Sequence, residues 1–352
     1  MRASFWDGRR VALTGHTGFK GAWFAHWLLA WKAQVSGFAL APDTQPNLYD
    51  VLDLAKRMPS TIGDVRDRAA VQQFIAESRP EIVFHLAAQP LVRRSYVDPV
   101  ETYGSNVMGL VHLLDAVRQT PSVRAIVVVT SDKCYEIADP PVPHREGDRL
   151  GGRDPYSNSK ACAELVTASF RDSYFSQPGA AAMASGRAGN VIGGGDWSAD
   201  RLIPDLVRAL RDDRATVLRH PEAIRPWQHV FEPLAGYVQL AEALIERGHA
   251  VAGAWNFGPD HDDARTVGEI ATQFATLTGA RPWIYEPSDG KYETGSLRVD
   301  ATKAQAELGW RPRLTVDEAI ALTATWYRAH LDGRDVRALC DEQLDGFLAA
   351  AC

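Results

Sequence analysis

Cysteine is scarce in this chain. The four in 352 residues, Cys134, Cys162, Cys340 and Cys352, show neither metal-type spacing nor a paired framework, which argues against a disulfide scaffold and a metal site and predicts reduced thiols. Basic blocks are missing too. Lys and Arg total 38 against 44 Asp and Glu, a net charge of −6, so nucleic acid is not an expected partner. Long hydrophobic runs are also absent. The most apolar helical stretch, "GAWFAHWLLAW" (21–31), carries a histidine and is too short to span a bilayer. The opening "MRASFWDGRR" lacks the apolar stretch of a signal peptide, and no internal repeat or low-complexity segment stands out. A cytoplasmic chain without membrane contact is the expectation.

What is present is an ordinary globular composition, 45% hydrophobic and 23% charged, in a chain long enough for one large core with an appendage. "RRVALTG", "QVSGFAL", "EIVFHLAAQ" and "RAIVVVTS" are short, continuous apolar runs. Such runs suit parallel strands covered on both faces. Helical patterns at 19–33, 66–79, 102–119 and 158–174 alternate with them, which predicts a doubly wound α/β sheet. After about residue 186 the pattern changes to a glycine-rich loop, helices at 203–213 and 232–247, a late strand in "GAWNFGP", and mixed structure. The expected layout is a Rossmann-type domain over 1–186 with a return near 229–259. A smaller mixed α/β C-terminal substrate domain, 187–228 and 260–352, interleaves with it.

Gly15, Gly18 and Gly21 form "GHTGFKG" between the first strand and the first helix. In that context glycines let the backbone approach a pyrophosphate at a helix N-terminus, with Thr17 and Phe19 in the same turn. The second strand ends "GFALAPDT", without an acid at the usual ribose position and without an arginine for a 2′-phosphate, which favours NAD. Asp64 and Val65, in "GDVRD", follow a third short strand; Asp64 is either an adenine contact or a helix N-cap. Leu86, Ala87 and Ala88 end the fourth strand, where the small alanines would let a cofactor lie close or a helix pack tightly.

Tyr156 and Lys160 are four residues apart, one turn along a helix face. A nearby ammonium favours tyrosinate, making the phenol a usable base. Upstream, an apolar strand ends in Ser131, Asp132 and Lys133.

In this combination the chain resembles the extended short-chain dehydrogenase/reductase superfamily. The resemblance runs through "TGHTGFKG", "GDVRD", "HLAAQP", "SNVMG", "TSDKCY", "YSNSK", "RAGNVIGGGDW", "RPWQHV" and "WNFGP", in that order. In detail it is similar to the nucleotide-sugar 4,6-dehydratases, and among them to the CDP-glucose branch. The resemblance implies NAD-dependent oxidation at C4 of a hexose, loss of water across C5–C6, and return of hydride to C6. It implies Tyr156 as base on the 4-hydroxyl, Ser131 on the same oxygen, Lys160 on the cofactor ribose, and Asp132 as acid for the leaving hydroxyl. Lys133 stands where many relatives carry Glu; it is either a C5 base or a cation steering a water or the enolate charge. Asn190, Arg201, Arg225, His229 and Arg298 are the implied substrate contacts, Asn106 is a helix-interrupting anchor for a water, and a homodimer or dimer of dimers is the implied assembly. An epimerase or reductase of the same fold is the rival enzyme reading, and a non-catalytic NAD-binding protein the rival outside enzymes.

Overall fold

A strand that is apolar at every position must be covered on both faces, and seven segments here obey that rule to different degrees. In the computed structural model, which describes residues 1–137, 142–259, 264–287 and 297–350, they form one sheet. Its strands are β1 (Arg10–Thr14), β2 (Gln34–Ala39), β3 (Ser60–Ile62), β4 (Ile82–His85), β5 (Ala125–Val129), β6 (Ala182–Ala188) and β7 (Gly253–Phe257). The order is β3-β2-β1-β4-β5-β6-β7, and every pairing is parallel. The order reverses between β1 and β4, and a crevice opens there at the carboxyl ends of the strands.

The longer helices are α1 (Phe19–Ala30), α2 (Arg68–Ser78), α3 (Gly109–Val117), α4 (Pro155–Tyr174), α5 (Leu202–Arg211), α6 (Phe231–Arg247), α7 (Val267–Thr278), α8 (Val316–Leu331) and α9 (Val336–Ala349). Alternate residues of β1, β4 and β5 go to opposite faces. Leu13, Phe84 and Val127 join Trp23, Trp27, Phe231 and Tyr237 of α1 and α6, while Ala12, Val83 and Ile126 join Phe74, Leu113 and Ala163 of α2, α3 and α4. Each large buried side chain contributes about 1.5–3 kcal/mol relative to exposure. Among the described residues no helix is long and apolar enough to cross a membrane.

Leaving β6, the chain builds a smaller unit over the strand ends. Val191–Ile192 pairs with Gln228–His229, Ile224–Arg225 with Arg265–Thr266, and Val217–Leu218 with Ile284–Tyr285. Between these visits it returns to the sheet through α6 and β7. One expectation needs correction: the tail does not belong wholly to the smaller unit. Phe347 of α9 packs 5.8 Å from Trp27 and 5.2 Å from Phe231, centroid to centroid, against α1 and α6. An apolar stripe on α9 finds its cover there, which composition alone does not reveal.

Candidate active site

β1 delivers Gly15 to the crevice with φ of +79°, a conformation that costs glycine little and other residues more. A Cβ at Gly15 would lie 2.7 Å from the Ala87 backbone nitrogen, and one at Gly21 would lie 2.0 Å from the Gly15 carbonyl oxygen. Both glycines are therefore needed for α1 to seat against the turn. Gly18 differs: a Cβ there meets only the Gly15 oxygen, at 3.5 Å. Gly18 is the N-cap of α1, no side chain caps that helix, and the residue lines an open cavity of about 680 Å³. First-turn N–H groups at an uncapped, accessible helix start suit a diphosphate. The cradle fits the dinucleotide it was expected to hold.

Thr17, Phe19, Gly21, Asp64, Val65, Leu86, Ala87, Ala88, Tyr156 and Lys160 line the same cavity. The exit of β2 contributes Ala39, Leu40, Ala41 and Asp43, with Thr17 Oγ1 donating to the Leu40 carbonyl at 2.8 Å. Asp64 is not a helix N-cap; Asp67 caps α2 by accepting from Ala69 and Ala70. Asp64 instead accepts from the Arg66 backbone and guanidinium, and that side-chain bond holds its carboxyl below the usual range.

Asn106 sits in a π turn, Gly104–Met108, that leads into α3. Its amide accepts from the Gln89 N–H at 2.7 Å and donates to the Gln89 carbonyl and to Ser159 Oγ, at 3.1 and 2.8 Å. The wide turn thus ties the exit of β4 to α4 with protein partners.

At the far end, two residues beyond β5, Ser131 caps a short 3₁₀ turn, Asp132–Cys134, its oxygen accepting from the Lys133 N–H. Ser131 Oγ donates to Asp132 Oδ1 at 2.9 Å, while Asp132 Oδ2 is buried without a hydrogen-bond partner. Burial raises the Asp132 carboxyl, against the pull of Lys133, Ser131 and Arg225, so it holds a proton more readily than an ordinary aspartate. Tyr156, in the first turn of α4, departs from expectation. Burial pushes its phenol up to about 12, with Ser131 and Arg201 pulling the other way and Asp132 and Asp154 adding to the rise. Lys160 lies one turn further along α4. The lysine leans back toward the Val129 carbonyl, 3.5 Å away, and burial brings its ammonium down to about 8. Lys133 is half-buried, its ammonium 6.0 Å from the Tyr156 ring centroid.

Asn190, Arg201 and Arg225 line the cavity, and His229 and Arg298 do not. His229 is fully buried, its ring 4.5 Å from that of Phe231, in the strand pair beneath the glycine loop. The Arg298 carbonyl accepts from the His144 N–H at 3.0 Å, and its Nε is buried without a partner. Arg201 is fixed by Asp196 at 2.9 Å.

Sequence reasoning missed Arg93 and Arg219, which line the cavity and approach Asp200 at 3.9 and 3.7 Å. It also missed Lys20. Burial, then Arg201 and Lys160, bring that amine down to about 7 against the pull of Asp132. Its place inside the glycine motif was the available signal.

The family model described as GDP-mannose 4,6 dehydratase matches residues 13–323. The chain is 45% identical to a CDP-glucose 4,6-dehydratase of Salmonella typhimurium strain LT2, over 99% of this chain and 98% of that one. It is 26% identical to a UDP-glucose 4-epimerase of Mycolicibacterium smegmatis, over 91% and 98%. Among solved structures it is similar to a dTDP-glucose 4,6-dehydratase from Streptomyces venezuelae with NAD and TYD bound, with TM-score 0.78, 24% identity and coverage of 92% and 98%. A UDP-glucose 4-epimerase from Stenotrophomonas maltophila with bound NAD gives TM-score 0.81 at 22% identity, covering 92% and 99%.

Proposed function

The chain belongs to the GDP-mannose 4,6-dehydratase family of nucleotide-sugar dehydratases, and from that premise we propose that its own substrate is CDP-D-glucose. It is an NAD-dependent hydro-lyase of the extended short-chain dehydrogenase/reductase type, acting on a nucleotide sugar. The proposed product is CDP-4-dehydro-6-deoxy-D-glucose. The observation that carries this reading is Asp132, a buried carboxyl that burial raises and that has one free oxygen, beside Ser131 and Tyr156. Oxidation or epimerisation at C4 needs no such acid.

When bound, NAD supplies the hydride acceptor for C4 and the hydride donor for C6. The glycine turn and α1 would hold its diphosphate, Asp64 and Val65 its adenosine end, and Lys160 its second ribose. Tyr156 takes the proton of the 4-hydroxyl, with Ser131 on the same oxygen and Arg201 the cation that eases the phenol's ionisation. The C4 ketone acidifies the C5 proton. Asp132 then protonates the departing 6-hydroxyl, and Lys133 is the adjacent amine for C5. Arg201 and Arg225, with Arg93 and Arg219, give the nucleotide diphosphate its guanidinium partners, and Asn190 a polar contact.

Three free thiols, Cys134, Cys162 and Cys340, support a reducing cytoplasm. Met108 ahead of α3 and Leu165 and Tyr174 on α4 are 47%, 59% and 51% exposed, which supports a homodimer built on α3 and α4.

The test is mass spectrometry after separate incubation with NAD and CDP-, dTDP-, UDP- and GDP-glucose. Loss of one water from CDP-glucose, without net NADH, is the expected result. Loss from another nucleotide would move the specificity, and an isomer of unchanged mass would replace dehydration by epimerisation.

A further inference from the structure

Lys20 is a cavity side chain that the chemistry above leaves without work. It stands in the first turn of α1, two residues after Gly18, and lines the cavity. Among the described residues its amine has no hydrogen-bond or ion-pair partner, and it lies 5.8 Å from the centroid of the Tyr237 ring of α6. The charges that act on it come from three further directions: Arg201 at the start of α5, Lys160 on α4, and Asp132 beyond β5. A lysine on a helix surface normally keeps its head in water. This one runs inward, from the turn that suits a diphosphate toward the residues that suit the reacting sugar.

A dinucleotide held with its diphosphate on Gly18 and its reacting carbon toward Tyr156 would place its nicotinamide in the cavity that Lys20 also lines. We propose that Lys20 sets the balance between the oxidised and reduced forms of the bound nicotinamide, its ammonium opposing the positively charged ring and sparing the neutral one. The proposal rests on reading the cavity as an NAD site and not on which sugar is dehydrated. It also suits a reaction in which hydride must stay on the cofactor while water leaves. A cation beside the ring would weight the pair toward the reduced form for that interval, and Lys160, another cation lining the cavity, would act in the same sense.

The amine is lowered to about 7, so it is mostly charged at about pH 6 and mostly neutral at about pH 8.5. The sign follows. Preference for NADH over NAD is strongest at low pH and weakens as Lys20 loses its proton. Lys160, lowered to about 8, contributes a similar drift, so the difference between native protein and a Lys20 variant isolates the Lys20 part.

The experiment titrates native protein, Lys20→Met and Lys20→Arg with NAD and with NADH, following tryptophan fluorescence at both pH values, with no sugar present. At pH 6 the ratio of the NAD to the NADH dissociation constant should fall by about tenfold in Lys20→Met. It should stay within about threefold of native in Lys20→Arg, which keeps the charge, and at pH 8.5 native should approach Lys20→Met. An unchanged ratio in Lys20→Met at pH 6 overturns the proposal. So does a fall of the same size in Lys20→Arg, since that makes the effect one of shape. Failure of native protein to bind either nucleotide removes the NAD site and the proposal together, whereas a dehydratase of another sugar nucleotide leaves the outcome untouched.

Discussion

Two buried polar clusters lie back to back at the ends of β5 and β6, and they are built on opposite plans. In the first, Glu164 accepts from Thr130, Ser185 and Arg187, Arg187 also donates to Tyr135 Oη, and Tyr135 donates to Asn256. Nearly every polar atom is met, Arg187 Nε being the exception. In the second, one residue on from Thr130 and one turn before Glu164, Asp132 Oδ2 and Tyr237 Oη are buried with no partner, and Lys160 has only a long contact to Val129. A saturated network holds shape because each member's desolvation is offset by a bond. An unsaturated one leaves bonding capacity for a ligand. The two are contiguous, so the first serves as the footing of the second: Thr130 and Glu164 fix the strand end and helix that carry Ser131, Tyr156 and Lys160.

The comparison is sharpest where its two halves are broken separately. Asp132→Asn keeps the size of the side chain and removes the transferable proton. Turnover should fall by about 10²–10⁴, the usual scale for losing a general acid. Oxidation at C4 does not need that proton, so NADH should accumulate with CDP-glucose where native protein shows no net change. Rapid-mixing absorbance at the NADH band separates the two steps. Near-native turnover would move Asp132 into the structural cluster.

Breaking the saturated side should cost folding instead. Arg187 and Glu164 are 3% and 4% exposed and meet at 2.8 Å. Burial alone would raise the Glu164 carboxyl, but the bonds from Arg187, Thr130 and Ser185 bring it below its usual range. Arg187→Met leaves that carboxylate buried without its cation, a change that costs about 3–5 kcal/mol. Denaturant midpoints should drop accordingly, while turnover per folded molecule, measured well below the transition, stays within about threefold. A large loss of turnover in fully folded variant would mean that the two clusters cannot be separated as footing and site.

Much of this was legible in the sequence, for reasons that differ by residue. The apolar runs that became β1, β2, β4 and β5 read directly, because parallel strands covered twice leave no room for alternation. Gly15 and Gly21 were legible because close backbone approach excludes any Cβ. His229 misled: it follows Arg225 in a motif that reaches the cavity, but strand pairing with Val191–Ile192 turns its ring into the core. Lys20 was legible only through its place inside the glycine motif, because spacing along α1 does not say that α6 and the strand ends close over it. Tyr156 and Lys160 lie one turn apart on α4 and both line the cavity, yet burial raises the phenol where a lowering was expected, and Lys160 leans toward Val129. Local spacing reports which face a residue shares; it does not report the dielectric or the rotamer.

Glu232 is the residue that strains the comparison, and it gives the smallest predicted effect. It is 1% exposed on α6, and its Oε1 accepts from the Arg313 and Leu314 N–H groups at 2.9 and 2.8 Å. Its Oε2 is buried without a partner, as in Asp132, yet Glu232 does not line the cavity. Burial pushes the carboxyl up to about 7, the two N–H groups pulling the other way. An unfolded glutamate titrates near 4.3. Between those values the folded state binds more protons than the unfolded one, so stability falls as pH rises from about 4.3 to about 7 and is level above. Glu232→Gln keeps one acceptor and removes that ionisation cost. The variant should match native protein near pH 4.5 and exceed it by about 1–2 kcal/mol at pH 8, the amide's own unmet N–H taking back part of the gain. Thermal melts at the two pH values read this, and turnover should not change. If Glu232→Gln instead slows turnover tenfold, an unmet buried oxygen marks function even away from the cavity, and the division drawn here rests on cavity lining alone. If stability and turnover behave as stated, the unmet oxygen of Asp132 is significant because a ligand can reach it.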